Sequence, residues 1–164
     1  MSTRPVIFGF DGSPAARSAI ERTAELLAPA PAISLTVWES ALSLIYRWKL
    51  PEGFEIAQDV VEAVDSRALE DASKVAAEGA DVARAHGFDA EPLAQRAYED
   101  SPRTATTAWQ EVVRVVEARD AAVVVLGSRG LSGVHSAVLG SVSHGVVNHS
   151  KRPVLVVPAE GDAR

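Results

Sequence analysis

The chain has 164 residues, 47% hydrophobic and 23% charged, which suffices for one substantial core and is short for two. A formal net charge of -6 argues against a nucleic-acid backbone as main partner, since that binding needs a basic face, and the absence of cysteine excludes disulfides, thiolate metal sites and thiol nucleophiles. Neither a signal peptide over Met1 to Val6 nor an apolar run of about 18 residues is present, so a cytoplasmic protein without membrane spans is expected.

Val6 to Phe10 is an uninterrupted apolar run that stops at Asp11, Gly12, Ser13 and Pro14, which predicts a strand buried on both faces and a tight turn. Ser13 then stands as N-cap, and Pro14 opens a helix to Ala28 with Ile20, Ala24 and Leu27 on one face and Pro29 as its stop. Ile33 to Trp38 alternates apolar and polar residues as a second strand. Glu39 to Gln58 has no period and reads as a long connection and a candidate lid. The aromatic group Trp38, Tyr46, Trp48 and Phe54 either covers a ligand or else closes the core over that loop or joins a dimer contact, and the second kind of role is the commoner one.

From Asp59 to Ala85 the positions Val60, Val64, Leu69, Ala72, Val75, Ala76, Ala80 and Ala83 recur with helical spacing, and Gly87 stands where a left-handed cap belongs. Ala90 to Ala97 is a weaker strand signal, and Pro92 confines it to a sheet edge. After a turn at Asp100, Ser101 and Pro102, Thr104 to Arg119 reads as a helix with Trp109, Val112, Val113 and Val116 along one stripe. Ala121 to Leu126 is the clearest buried strand; Ser141 to Ser150 is a short helix, Val154 to Val157 the last strand, and Pro158 to Arg164 a polar tail.

This alternation predicts a single α/β domain over 1–164, with a core of about 4–158, built on an open, mostly parallel, doubly wound sheet. Ligands of such sheets bind beyond the carboxyl ends of strands where strand order reverses, and Asp11 and Gly127 both occupy carboxyl ends.

The residues that follow the clearest strand carry the chemistry. Gly127, Gly130, Gly140 and Ser141 form a G-x2-G-x9-G-S array that continues through Val142 and Ser143. Glycines after a buried strand allow close backbone approach to a ligand, and amides at a helix start favour anions, so the array points to phosphate. It lacks both the G-x-G-x-x-G spacing of dinucleotide folds and the lysine of a P-loop, so backbone amides, the helix dipole and the Ser141 and Ser143 hydroxyls would do the holding. Arg129 is a further phosphate contact or a solvated side chain, and Asp11 before Gly12 and Ser13 is also a favoured turn residue whatever binds nearby. His86, His135, His144 and His149 have no metal-ligand spacing, no G-x-S-x-G elbow is present, and neither a catalytic residue nor a metal ligand is assigned.

With Phe10 to Ser13, Asp120, Gly127 to Gly130, Gly140 to Ser143 and the closing Arg152 to Val157, the chain resembles the ATP-binding subgroup of the universal stress protein family over nearly all its length. The resemblance implies a five-stranded parallel sheet of order 3-2-1-4-5, a Rossmann-like fold of the adenine nucleotide alpha hydrolase type. It also implies ATP, with Mg2+ held mainly by the phosphates, bound by Asp11 on the ribose and adenine side and by backbone groups of Val37 at the adenine edge. Gly127, Gly130, Gly140 and Ser141 correspond to the family's phosphate and ribose binders, with Val142 and Ser143 adjoining. A homodimer through the last strand, Pro153 to Val157, and a regulatory protein partner in the stress response are implied as well. Slow ATP hydrolysis or self-phosphorylation at Ser141 or Ser143, and cAMP in place of ATP, are the rival readings.

Overall fold

In the computed structural model, which describes residues 4–41, 43, 57–97, 107–128 and 139–158, five strands and four helices alternate. They are β1 (Val6–Gly9), α1 (Pro14–Leu27), β2 (Pro31–Trp38), α2 (Gln58–Ala85), β3 (Asp89–Arg96), α3 (Ala108–Ala118), β4 (Val123–Gly127), α4 (Ser141–His149) and β5 (Val154–Val157). All pairings are parallel and the strand order is β3-β2-β1-β4-β5, as the resemblance implied. Residues 42 and 44–56 of the connection after Glu39, with its aromatics Tyr46, Trp48 and Phe54, the turn at Asp100 to Pro102, and the tail from 159 lie outside the described residues. Among the described residues no helix is long and apolar enough to cross a membrane.

Because the sheet is covered on both faces, its strands bury side chains both ways. Val6, Phe8, Ala32 and Val125 pack under α1 and α2 with Ala19, Ile20, Ala80 and Ala83, whereas Ile7, Ile33, Leu35, Val124 and Leu126 pack under α3 and α4 with Val112, Val116 and Val146. β3 is a full edge strand, and Pro92 sits in register with Ser34, where an edge tolerates a residue that cannot donate.

Local chemistry sets the helix ends. Ser13 Oγ accepts from Ala16 N–H at 3.1 Å as the N-cap of α1, with Pro14 at the first helical position. α2 ends in the expected left-handed cap: Gly87 has φ +91, its N–H donates to Arg84 C=O, and Phe88 N–H donates to Ala83 C=O, both at 3.1 Å. Phe88 thereby lands edge-on against Phe8, with ring centroids 5.1 Å apart. α3 starts at Ala108, with a capping box between Thr107 and Gln110.

The same device that ends α2 ends α3 with Asp120 in place of glycine: its φ is +48, and Ala121 N–H donates to Val116 C=O at 3.1 Å. Its carboxylate pairs with Arg4 Nε at 2.8 Å and with Arg152 Nη2, so the approaches to β1, β4 and β5 are joined at the amino end of the sheet.

Two stripes differ from the sequence expectation. In α3 the buried line is Val112, Val115 and Val116, while Trp109 and Val113 are only partly buried. Trp109 faces α4, where it stacks on His149 and fills the space a side chain on Gly145 would need. Glu111 is fully buried beside that line and takes a two-pronged contact from Arg114 Nε at 2.9 and 3.0 Å. In α2 the buried residues are Ala72, Ala76, Gly79, Ala80, Val82 and Ala83, whereas Val60, Val64 and Leu69, which share the helical spacing, are exposed. The outer half carries a charge lattice of its own: hydrogen bonding and attraction from Lys74, with attraction from Arg67, hold the Glu70 carboxyl below its ordinary pKa.

The inner half of α2 lies against the sheet only because residue 79 is glycine, since a Cβ there would stand 2.2 Å from Ser34 Oγ and 2.6 Å from the Phe10 ring. Gly79→Ala is expected to lower unfolding free energy by about 1–3 kcal/mol through overpacking, read from the urea midpoint at unchanged slope.

Candidate functional site

The helices that follow β1 and β4 leave to opposite faces of the sheet, α1 into one core layer and α4 into the other. The crevice between these departures is where an α/β sheet offers a ligand its place. A cleft of about 270 Å³ opens there. It is lined by Asp11, Val37, Gly127, Gly140, Ser141, Val142 and Ser143 together with Gly9, Phe10, Ala16, Leu35, Thr36, Ala108, Val112 and Leu126. The sequence-derived candidates Arg129 and Gly130 lie outside the described residues, as does His135.

One end of the cleft is an apolar slot between β2 and the start of α3, formed by Leu35, Val37, Ala108, Val112 and Leu126. Its polar edge is main chain. Phe10 N–H donates to Leu35 C=O at 2.9 Å, and in a parallel ladder residues two apart on one strand face the same neighbour. The N–H and C=O of Val37 therefore face the lane that β1 vacates after Gly9, and among the described residues no backbone bond from Val37 crosses it. Thr36 Oγ1 closes the ladder by donating to Phe10 C=O at 2.8 Å.

The other end is built from the glycine array. A Cβ on Gly127 would lie 2.9 Å from the carbonyl carbon of Ala15 and 3.0 Å from its oxygen, so only glycine lets β4 end against the first turn of α1. Gly140 is the N-cap of α4, with its N–H donating to Ser128 C=O at 2.9 Å, and it has no side chain with which to cap the helix. The first amides of α4, those of Ser141, Val142 and Ser143, are thus presented at the cleft with the positive end of the helix dipole, roughly half an elementary charge. The Ser143 side chain is used elsewhere. Buried, it donates from Oγ to Gly127 C=O at 2.7 Å and straps α4 to the end of β4.

Asp11 follows β1, the strand between β2 and β4. Its Oδ1 accepts from Ser13 N–H at 2.9 Å, so the carboxylate helps make the turn as well as line the cleft. It is the one charged side chain among the described lining residues. Trp38, the described member of the aromatic group, is absent from that lining; Arg96 lies over its ring, 5.6 Å from the centroid.

Sequence reasoning missed the slot wall of Leu35, Thr36, Ala108, Val112 and Leu126. Ala108 and Val112 look like any helix start and core position, and the signal available was the small residue directly after the Thr107 cap. Among the described residues no group of three or more His, Asp or Glu side chains converges as a metal site. His86 and His149 instead each place Nδ1 against the carbonyl four residues earlier, at 2.9 and 2.8 Å, in the last turns of α2 and α4.

The universal stress protein family matches residues 2–158. Universal stress protein MT2052 of Mycobacterium tuberculosis (strain CDC 1551 / Oshkosh) is 32% identical over 169 residues, covering 94% of this chain and 48% of its own length. The chain spans about half the length of the first curated relatives it matches. Of the solved structures that share its fold, a universal stress protein in complex with cAMP has a TM-score of 0.58 at 21% identity, covering 97% of this chain and 99% of the other. The universal stress protein of Archaeoglobus fulgidus in complex with dAMP has a TM-score of 0.56 at 18% identity, covering 95% and 98%. Fold, strand order and the match over residues 2–158 agree, and the chain belongs to the universal stress protein family.

Proposed function

We propose that this chain is a nucleotide-regulated module of the stress response, cytoplasmic and dimeric, that holds ATP in the cleft and passes its occupancy to a regulatory protein partner. One observation carries the reading: an apolar slot with an unpaired main-chain edge at Val37 runs into the uncapped start of α4, a base-sized end joined to an anion-attracting end. In this pose the base lies between β2 and Ala108, Val37 C=O accepts from the adenine amino group, and Val37 N–H donates to the neighbouring ring nitrogen. Asp11 accepts from the ribose hydroxyls. The phosphates meet the amides around Gly127, Gly140, Ser141, Val142 and Ser143, with Arg129 and Gly130 closing the same array. Mg2+ is carried in by the phosphates, since Asp11 is the one carboxylate in the described lining.

The family relatives solved with cAMP and dAMP support an adenine nucleotide as ligand, and the first of them makes cAMP the second reading for this cleft. Support for a dimer through β5 comes from its place at the sheet edge with Val154, Leu155 and Val156 only half-buried. Self-phosphorylation is a narrower alternative; it falls on exposed Ser141 rather than on Ser143, whose hydroxyl is buried and already donating. Mass spectrometry after incubation with ATP separates these.

Titration calorimetry of nucleotide-free protein with MgATP should give a dissociation constant below about 1 mM, and no heat at that concentration overturns the proposal. GTP should bind at least about tenfold more weakly, because guanine presents an acceptor and a donor where Val37 expects the reverse. Gly140 has φ -57 and ψ 156, open to any residue, so Gly140→Val should keep the fold while its side chain fills the phosphate path and reduces ATP affinity by about tenfold or more. Ser143→Ala should do the opposite: a loss of about 1 kcal/mol in stability from the missing strap, with ATP binding retained through the amide.

A further inference from the structure

α2 is one helix with two kinds of surface. Packing on the sheet begins at Ala72, and the outer half, Gln58 to Asp71, leaves Val60 and Val64 50% and 46% exposed. These valines, with Ala63 and Ala68, floor a shallow apolar groove edged by Asp59, Arg67 and Asp71. At 3.6 residues per turn, the line Val60, Val64, Arg67 is rotated about a third of a turn from the packed line Ala72, Ala76, Gly79 and Ala83, so the sheet does not account for it.

We propose that this groove is a contact between copies of the chain, in which two α2 helices lie antiparallel across a two-fold axis. The charges decide the occupant. Asp59 and Arg67 stand about 12 Å apart along one helix, beyond pairing distance within the chain. A second α2 centred between Ala63 and Val64 brings Asp59 of each helix to the Arg67 guanidinium of the other. In the same register Val60 lies on the aliphatic stem of the other Arg67 and Ala63 meets Val64, so small residues face larger ones and the axes approach within about 8–10 Å. Arg67 keeps its own bond to Asp71, at 3.2 Å, while it takes the second carboxylate. The patch is smaller than the roughly 800 Å² per partner of a standard interface, so the contact is weak and depends on concentration. It lies on the β2 and β3 side of the molecule, away from β5.

The natural chain has no cysteine, so Ala63→Cys introduces a single thiol that reports this contact by disulfide formation under mild oxidation. Cross-linked dimer should exceed that of Leu69→Cys, an exposed control half a turn round the helix from Val60, by about tenfold. Adding Arg67→Asp to the Ala63→Cys protein should lower cross-linking about tenfold by setting like charges opposite one another, and adding Asp59→Arg as well should restore it. Loss of the Arg67 pairs with Asp71 and Glu70 would also follow from Arg67→Asp, but Asp59→Arg cannot repair those, so recovery isolates the intermolecular pair. Equal cross-linking at positions 63 and 69, indifference to the single reversal, or no recovery in the double reversal each overturns the proposal.

Discussion

A side chain at position 127 has nowhere to go. The end of β4 passes so close to the main chain of Ala15 that a methyl group would force the strand and the first turn of α1 apart. The Ser143 hydroxyl bonds to the carbonyl of that same glycine, so one residue fixes the spacing of α1, β4 and α4 together. The cleft is what remains between elements so fixed. Its dimensions follow from backbone contact rather than from flexible side chains, and this suits a cleft whose edge at Val37 and helix start at Ser141 offer main-chain polar groups.

The chain is acidic overall, yet the start of α4 offers the cleft positive potential with no lysine in the described lining. An uncapped helix start supplies partial charge without a titrating group and without a long side chain to immobilise. The one full charge in the described lining, Asp11, follows β1, the strand between β2 and β4; in the proposed pose it meets hydroxyl donors rather than the phosphates. Anion attraction and carboxylate are thus separated by geometry instead of cancelling.

The sequence made legible whatever depends on local rules. The strand of Val6 to Phe10, the Ser13 cap, the Gly87 cap and the edge position of the Pro92 strand each follow from a residue whose backbone options are few. The glycine array was visible for the same reason, although part of what its residues do is packing: Gly127 accommodates Ala15 and Ser143 braces β4. What was not legible depends on tertiary placement. The spacing of Val60, Val64 and Leu69 continues that of Ala72 and Ala76, but the packed face of α2 starts only at Ala72, and periodicity cannot say where a helix outruns its support. Val113 and Val115 are both apolar, and periodicity does not show that Val115 is the buried one while Trp109 turns to Gly145. The slot wall at Ala108 and Val112 belongs to a helix distant in sequence from every glycine, and the edge offered by Val37 has no side-chain signature at all.

The knot at Asp120 bears on which parts of this molecule are free to move. A residue in a conformation that favours glycine is retained there with its carboxylate clasped by one arginine ahead of β1 and another ahead of β5. Three strands are thereby riveted at the end opposite the cleft, like the leaves of a fan held at the pivot. Displacement driven from the cleft has its greatest leverage at the far rim, where the helices begin, and its least at the rivet. A partner that senses occupancy would gain most by reading the rim and least by reading the pivot.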